Sequence, residues 1–179
     1  MLSRDHSQNV PAGSERSYRV AVLTLSDKGA QGIRDDESGR LLQEMVRDLP
    51  GEVIFYKLLP DEAVLIEALL CELSDRGDVD VILTTGGTGV SLRDVTPDAT
   101  LRVIDREVPG MAEAMRAASL KKTSRAMISR AVCGIRKQTL IINLPGSPRG
   151  ARENLTVLLP ALPHAIDKIR GDQRDCAST

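Results

Sequence analysis

A glycine-rich segment in the middle of the chain carries the clearest chemical signal in the sequence. Residues 84–97 read TTGGTGVSLRDVTP, and the candidate ligand contacts within them are Gly86, Gly87, Thr88 and Gly89. Glycine allows positive φ angles and lets the backbone approach a ligand closely. Successive free N–H groups beside threonine hydroxyls can surround an anion such as a phosphate. The segment therefore indicates a phosphate site, with a plain tight turn between a strand and a helix as the alternative.

Two common phosphate-binding motifs do not fit this segment. A P-loop has Lys followed by Ser or Thr directly after its last glycine, whereas Gly89 is followed by Val90 and Ser91. A dinucleotide-binding fingerprint has a further glycine at the position where this chain has Leu92. The phosphate site is thus predicted without either motif.

Two aspartates are the candidate catalytic and metal-binding residues. Asp94 follows the glycine segment, and Asp61 lies 33 residues earlier, which is close to the length of one helix and one strand. Carboxylate oxygens suit a Mg²⁺ ion that is held jointly with substrate phosphates. The alternatives are that Asp61 caps the helix that follows it and that Asp94 pairs with Arg93 or shapes a turn.

The sequence shows no arrangement typical of a hydrolase with an activated nucleophile. Its two histidines are His6, near the start of the chain, and His164, in the last predicted helix. Neither a Ser–His nor a Cys–His pair is visible, which argues against nucleophilic catalysis by a side chain. Arg136 and Lys137 have the charge to reach a phosphate, but a solvated hairpin turn is the preferred interpretation of this pair.

Alternating strand and helix patterns predict an α/β fold. Short apolar runs rich in β-branched residues predict strands at 18–25, 52–59, 79–84, 129–135 and 139–143. Apolar residues at helical spacing predict helices at 38–49, 61–76, 96–106, 111–118 and from 148 to about 169. This alternation favours a mostly parallel sheet with helices on both faces.

The carboxyl ends of parallel strands meet at one edge of a sheet, where ligands bind in open α/β folds. The segments that follow the predicted strands toward this edge are 26–32, 60–61, 84–94 and 143–148. They bring Asp61 and Asp94 to the glycine segment. They also add Pro145, Gly146 and Ser147, which suit either a rigid loop that presents a helix N-terminus to an anion or a simple turn.

Composition and charge exclude several classes of protein. The chain has 179 residues, which fits one domain at about 150 residues per domain. It has 24 basic and 25 acidic residues, two tyrosines, one phenylalanine and no tryptophan. It therefore lacks the basic charge and the stacking side chains of a nucleic-acid-binding protein. No apolar run reaches the roughly 18 to 20 residues of a membrane span.

A single domain is expected at 18–171, between a flexible leader at 1–17 and a short polar tail at 172–179. The leader lacks the apolar core of a secretory signal. Cys71, Cys133 and Cys176 are odd in number and show no CxxC spacing, which argues against a disulfide framework or a zinc cluster. These features predict a cytoplasmic protein, with Cys71 and Cys133 as small core residues.

The segment at 84–100, TTGGTGVSLRDVTPDAT, closely resembles the signature of the MogA/MoaB family of molybdenum cofactor biosynthesis proteins, which includes the gephyrin G domain. Further matches lie at 26–32, 59–62, 105–110, 129–130, 134–136 and 144–146. The resemblance extends over 18–172, nearly the whole chain. Asp61 and the run at 93–97 are more similar to the molybdopterin adenylyltransferases than to the MoaB branch.

This resemblance implies a three-layer α/β/α fold with a mostly parallel central sheet, a homotrimer and a stand-alone enzyme. It implies Mg²⁺-dependent transfer of AMP from ATP to the terminal phosphate of molybdopterin. The acids that match Asp61 and Asp94 are required for activity in those enzymes, and the serine that matches Ser119 belongs to the region that handles molybdopterin. The further candidates for pterin or phosphate contacts are Asp27, Pro145, Gly146 and Ser147.

A molybdopterin-binding module without transferase activity is the competing hypothesis, in the manner of a MoaB-like protein or a gephyrin-like scaffold. The acids Asp61 and Asp94 argue against it, because they would repel a phosphorylated ligand unless a cation joined them. The expected partners are ATP, molybdopterin, further copies of this chain and a molybdenum insertase. Neither nucleic acid nor a membrane is expected as a partner.

Overall fold

The computed structural model describes residues 17–172, so the predicted leader and tail lie outside it apart from Ser17 and Asp172. Six strands form one sheet in the order β2-β1-β3-β6-β5-β4. They are β1 Tyr18–Leu25, β2 Gly51–Leu59, β3 Val81–Thr85, β4 Arg106–Glu107, β5 Cys133–Arg136 and β6 Thr139–Leu144. β1, β2, β3 and β6 are parallel, and β5 and β4 pair antiparallel at one side. The predicted mostly parallel sheet is confirmed.

Seven α-helices cover the two faces of this sheet within the described residues. They are α1 Asp27–Ala30, α2 Glu37–Met45, α3 Ala63–Asp75, α4 Thr96–Val103, α5 Pro109–Leu120, α6 Pro148–Leu158 and α7 Leu162–Ile169. One buried core lies between the sheet and helices α2, α5, α6 and α7, and a second lies between the sheet and helices α3 and α4. The predicted three-layer α/β/α architecture is confirmed.

The central strands are apolar on both faces because both faces are covered. In β1, Val20 and Val22 belong to the first core, whereas Ala21 and Leu23 belong to the second. All four side chains are fully buried. This explains why the parallel strands appear in the sequence as continuous apolar runs rather than as alternating patterns. None of the helices in 17–172 is long and apolar enough to cross a membrane.

Four predicted helices are longer in the sequence pattern than in the structure, and two of these differences have a clear physical cause. The last one is divided into α6 and α7, because Pro160 falls between them and Pro163 lies in the first turn of α7. Proline lacks the N–H that a helix interior requires. The helix predicted to reach residue 106 ends at Val103, since Arg106 and Glu107 pair with β5 as a short strand instead.

The strand predicted at 129–135 begins only at Cys133, after a 3₁₀-helix at Ser124–Ile128. The residues before Cys133 do not pair with the sheet, because the backbone N–H of Arg130 donates to the carbonyl of Thr88 in the glycine segment. Cys133 is buried as predicted, and this burial raises the pKa of its thiol to about 12. Cys71 is half-buried beside the core under α3 and α4.

The hairpin turn predicted between the last two strands is confirmed. β5 and β6 pair as far as Arg136 and Thr139, and Lys137 adopts a positive φ of 51° in the turn. Both basic side chains form ion pairs with Asp75 at the end of α3, at 2.9 Å and 3.1 Å. They therefore face a carboxylate on the protein surface.

A buried polar network links β3, β6 and α4 beneath the carboxyl edge of the sheet. The Asn143 amide nitrogen donates to the hydroxyls of Thr84 and Thr100, at 3.0 Å each. Its side-chain oxygen accepts the N–H of Val132 at 3.3 Å. Asn143, Thr84 and Thr100 are fully buried, so each of these groups depends on the others for a hydrogen bond.

We expect Asn143→Leu to lower the free energy of unfolding by about 3 kcal/mol, because it leaves buried donors and acceptors unpaired. Urea unfolding followed by circular dichroism at a fixed protein concentration measures this loss. Gln138→Leu, in the exposed hairpin turn, is the control and should change stability by less than about 0.5 kcal/mol. Equal effects of the two substitutions would contradict a role for the network.

Candidate active site

The order of the strands creates a ligand-binding crevice at the carboxyl ends of β1 and β3. The chain passes from β1 to β2 on one side and then crosses to β3 on the other side of β1. Such a reversal separates the loops that leave the two central strands. A cavity of about 260 Å³ lies here, lined from all four predicted segments by residues that include Ser26, Asp61, Gly86, Gly87, Asp94, Gly146 and Ser147.

Gly86 and Gly87 line this cavity, and the backbone at both residues has a positive φ, of 107° and 60°. A Cβ atom on Gly86 would lie 2.1 Å from the backbone oxygen of Leu25, so no side chain fits there. A Cβ atom on Gly87 would lie 2.4 Å from the hydroxyl of Thr96 and 3.0 Å from Asp61 Oδ1. The first two glycines of the segment are therefore required by close packing against Leu25, Thr96 and Asp61, and the contact of this segment with a ligand stays a prediction.

Asp94 is held by the loop that carries it. Its Oδ2 accepts the backbone N–H of Ser91 at 2.7 Å. Gly89 lies directly beside this carboxylate, since a Cβ atom there would be 2.8 Å from Asp94 Oδ2. Arg130 fastens both ends of the loop, because its guanidinium donates to the carbonyls of Gly89 and Asp94 and pairs with Asp98. Of the alternatives for Asp94, pairing with Arg93 is not found, since Arg93 pairs with Asp27, whereas the role in shaping a turn is seen in the hydrogen bond from Ser91.

Asp61 does not cap the following helix. Glu62 occupies the N-cap position of α3 and makes no side-chain cap hydrogen bond. The Asp61 carboxylate turns back to the loop after β1, where its Oδ2 accepts the backbone N–H of Asp27 at 3.0 Å. Its Oδ1 is buried and has no hydrogen-bond partner. Burial, together with the nearby charges of Asp27 and Asp94, raises the pKa of Asp61 above its ordinary value.

The loop at 145–147 is fixed by hydroxyl groups from neighbouring elements. Thr85 donates to the carbonyl of Pro145 at 2.7 Å, and Ser38 donates to the carbonyl of Gly146 at 2.8 Å. Gly146 approaches the glycine segment so closely that a Cβ atom on it would lie 3.1 Å from the Cα of Gly86. Ser147 caps α6 by accepting the N–H of Gly150. The loop thus places the N-terminus of α6 at the edge of the cavity.

A second cavity, of about 410 Å³, lies on the other side of this loop. It shares Ser147 with the first cavity and includes Thr88, Gly89, Ser119 and Pro145 among its lining residues. The Ser119 hydroxyl accepts a hydrogen bond from the Asn154 side chain at 3.1 Å, between α5 and α6. The predicted site residues are therefore divided between two adjoining cavities. Asp27 lines neither of them, so its predicted ligand contact stays a prediction.

The two cavities differ in charge. The first is acidic, with Arg34 as the basic lining residue against Asp35, Asp36, Glu37, Asp61 and Asp94. The second is basic, with Glu153 as the acidic lining residue against Arg116, Lys122, Arg125 and Arg149. No group of three metal-ligating side chains occurs within the described residues. The first cavity thus suits a polyanion accompanied by a cation, and the second suits a bare anion.

The basic side chains of the second cavity were missed by the sequence analysis. A signal was present, because Arg116, Ser119 and Lys122 are three residues apart along and just beyond α5 and therefore face the same way. Lys122 and Arg149 both contact Glu153, at 3.1 Å and 2.9 Å, which ties this side of the cavity to α6. His164 lies in α7 and lines neither cavity.

Comparisons with known proteins agree with this geometry. The chain is 42% identical over 159 residues to a molybdopterin adenylyltransferase of Helicobacter pylori, covering 88% of this chain and 90% of the relative. It is 46% identical over 142 residues to a molybdopterin adenylyltransferase of Escherichia coli K12, covering 78% and 72%. The crystal structure of the molybdopterin biosynthesis enzyme MoaB from Thermus thermophilus superposes with a TM-score of 0.82 at 50% identity, covering 87% and 98%.

The family model described as a probable molybdopterin binding domain matches residues 21–164. This range includes both cavities and the glycine segment between them. By fold, by the residues at the carboxyl edge of its sheet and by this match, the chain belongs to the molybdopterin-binding domain family of molybdenum cofactor biosynthesis proteins.

Proposed function

We propose that this protein is a molybdopterin adenylyltransferase. The reaction transfers AMP from ATP to the terminal phosphate of molybdopterin and releases pyrophosphate. An oxygen of the molybdopterin phosphate forms a bond to the α-phosphorus of ATP, and the bond from that phosphorus to the departing pyrophosphate breaks. The observation that carries the proposal is the pair of adjoining cavities, one acidic and one basic, that meet at Ser147 beside the glycine segment.

The residues of the site suit this chemistry because the attacking phosphate needs no general base. The second pKa of a phosphate monoester is about 6, so the attacking phosphate of molybdopterin is largely ionised at neutral pH. The protein has to align two polyanions and offset their mutual repulsion, which is how phosphoryl-type transfer is generally catalysed. The position of His164 outside both cavities is consistent with such a mechanism.

We assign the adenylyl-transfer centre to the acidic cavity. Gly86 and Gly87 line this cavity and would lie against the ATP phosphates. Thr88 and Gly89 line the basic cavity and would contact the phosphate of molybdopterin, with the Thr88 hydroxyl as a donor. The molybdopterin phosphate and pterin would lie in the basic cavity, against Ser119, Pro145 and Ser147, and Gly146 would face the ATP side. The N-terminus of α6, which begins beside Ser147, adds a favourable field for an anion between the two cavities.

Asp61 and Asp94 fit a Mg²⁺ ion. Asp61 Oδ1 is a buried carboxylate oxygen with no hydrogen-bond partner, and a bound cation would satisfy it. The raised pKa of Asp61 also favours a cation at this position, because burial and the neighbouring acids disfavour the charged carboxylate unless a positive charge is near. When bound, Mg²⁺ neutralises charge on the leaving pyrophosphate. The two acids provide few protein ligands, which is usual for Mg²⁺ held together with phosphates.

Binding of molybdopterin without transfer is the second candidate function. It is favoured by the family match, because the model that covers residues 21–164 is described as a probable molybdopterin binding domain. The acidic cavity favours the transferase, since a molybdopterin carrier would have no need for an uncompensated carboxylate oxygen beside its ligand.

The remaining assignments follow the family resemblance. We propose a homotrimer located in the cytoplasm, with one catalytic domain per chain at 18–171 and a molybdenum insertase as the partner that receives the product. Light scattering on a sizing column would show three chains per particle if the homotrimer is correct and a different number if it is not.

The transferase is tested by pyrophosphate release from ATP and Mg²⁺, measured with and without molybdopterin. We expect release that depends on molybdopterin, together with a pterin product heavier by one AMP in mass spectrometry. Tight binding of molybdopterin with no adduct and no pyrophosphate would instead support the second candidate function.

We expect Asp94→Asn and Asp61→Asn each to lower kcat by about 100-fold at saturating Mg²⁺, because each removes a charge that positions the cation near the reacting phosphates. Both substitutions preserve the shape of the side chain. Asp48→Asn, an exposed residue in the 3₁₀-helix Val46–Asp48 outside both cavities, is the matched control and should leave kcat unchanged. Unchanged kcat in both site variants would exclude the electrostatic role.

We expect Arg125→Met to weaken molybdopterin binding by about 10-fold and to leave the KM for ATP unchanged, because the charge lost belongs to the basic cavity. Steady-state kinetics with each substrate varied in turn separate the two effects. Arg47→Met, on an exposed arginine outside both cavities, serves as the control. A larger change in the KM for ATP than for molybdopterin would reverse the assignment of the two cavities.

A further inference from the structure

Asp27 and Asp61 are joined by a reciprocal pair of hydrogen bonds. The backbone N–H of Asp27 donates to Asp61 Oδ2, and the backbone N–H of Asp61 donates to Asp27 Oδ1, both at 3.0 Å. The pair connects the first residue of α1 to the loop that leaves β2. It also brings two carboxylates close together, which is unfavourable unless a positive charge is near.

Arg93 supplies that positive charge. Its Nη2 donates to Asp27 Oδ1 at 2.7 Å and its Nε donates to Asp27 Oδ2 at 2.9 Å, which is the bidentate geometry that guanidinium favours. Its Nη2 also lies 3.6 Å from the Glu62 carboxylate. The hydrogen bond from Arg93 lowers the pKa of Asp27 below its ordinary value and so keeps it ionised. Asp27 Oδ1 thus accepts from Arg93 and from the Asp61 backbone at once.

This chain of contacts determines the direction of the Asp61 carboxylate. Because the N–H of Asp27 occupies Oδ2, the unpartnered Oδ1 is the oxygen that points to the glycine segment, next to Gly87. Arg93 is the neighbour of Asp94 in the sequence. Through Asp27, Arg93 therefore connects the loop that carries Asp94 to the Asp61 carboxylate.

We infer that Arg93 is a positioning residue, which acts through Asp27 to hold the Asp61 carboxylate in the orientation that the reaction needs. This inference rests on the proposed transferase. It explains why Asp27 and Arg93 belong to the same edge of the sheet although neither lines a cavity. It also gives Asp27 a role that requires no contact with a ligand.

If the ion pair between Arg93 and Asp27 had a purely structural role, its loss would change the stability of the protein and leave kcat unchanged. The side chain of Arg93 is 54% exposed and that of Asp27 is 35% exposed, and ion pairs this exposed contribute little to folding. The pair formed by Arg102 and Glu67 offers a matched control, because Arg102 is similarly exposed, at 59%, and contacts its carboxylate at 2.6 Å. Arg102 lines neither cavity.

The test compares Arg93→Met, Arg93→Lys and Arg102→Met. We expect Arg93→Met to lower kcat by about 10- to 100-fold with the KM values for ATP and molybdopterin unchanged, because misplacement of a catalytic group by about 1 Å costs rates of this order. Arg93→Lys should recover part of the loss, since it restores the charge without the planar fork. Arg102→Met should behave as the wild type, with a stability change similar to that of Arg93→Met.

Amide hydrogen exchange, measured by NMR on the protein without substrates, tests the contact independently of activity. In Arg93→Met, the amides of Asp27 and Asp61 should exchange about 10-fold faster than in the wild type, while both remain unaffected in Arg102→Met. Unchanged exchange at these two amides overturns the inference whether or not the protein is a transferase. A raised KM for ATP with kcat unchanged also overturns it, because Arg93 would then contact the nucleotide. Failure of the wild type to form any adduct refutes the transferase alone, and amide exchange then decides the positioning contact.

Discussion

The close contact of backbone with backbone at Gly86 is the constraint on which the rest of the site depends. The end of β1 presents the Leu25 carbonyl to one side of this residue, and the Leu144 carbonyl of β6 accepts its N–H from the other. Gly146 lies against its Cα, and Thr96, at the start of α4, donates to its carbonyl. Three strand ends and a helix therefore converge at a position where no side chain fits. This convergence brings Asp61 and Asp94, which follow β2 and β3, to the lining of one cavity.

The division of charge between the two cavities gives the site its chemical character. Carboxylates concentrate on one side of the 145–147 loop and basic side chains on the other, although the chain as a whole carries a formal charge of −1. A net charge close to zero says nothing about such local separation of charge. In the proposed reaction, two negatively charged substrates would meet at this boundary, one accompanied by a cation and the other bound by arginine and lysine side chains.

Local sequence patterns predicted the strands whose position is decided by apolar burial alone. The buried strands β1, β3 and β6 are apolar on both faces, so their composition alone marked them. One alternative and one predicted strand boundary were wrong because a distant partner competed with local preference. Asp61 has the side chain of a helix cap, but its carboxylate accepts a hydrogen bond from the loop after β1. Residues 129–132 have the composition of a strand, but the backbone N–H of Arg130 donates to Thr88 in the glycine segment. Neither partner is close in the sequence, so no local pattern could identify it.

By itself, the sequence determined the α/β class. It also predicted that the glycine segment and the two acids would meet at the carboxyl edge of the sheet, because this depends only on the order of the strands. Only the tertiary structure decided that the candidate residues belong to two cavities of opposite charge and that Arg93 pairs with Asp27 instead of Asp94. It also decided that one oxygen of Asp61 remains unpartnered. The physical reason is that side-chain direction and charge pairing arise from contacts between residues tens of positions apart, and the packing of the three layers selects those contacts.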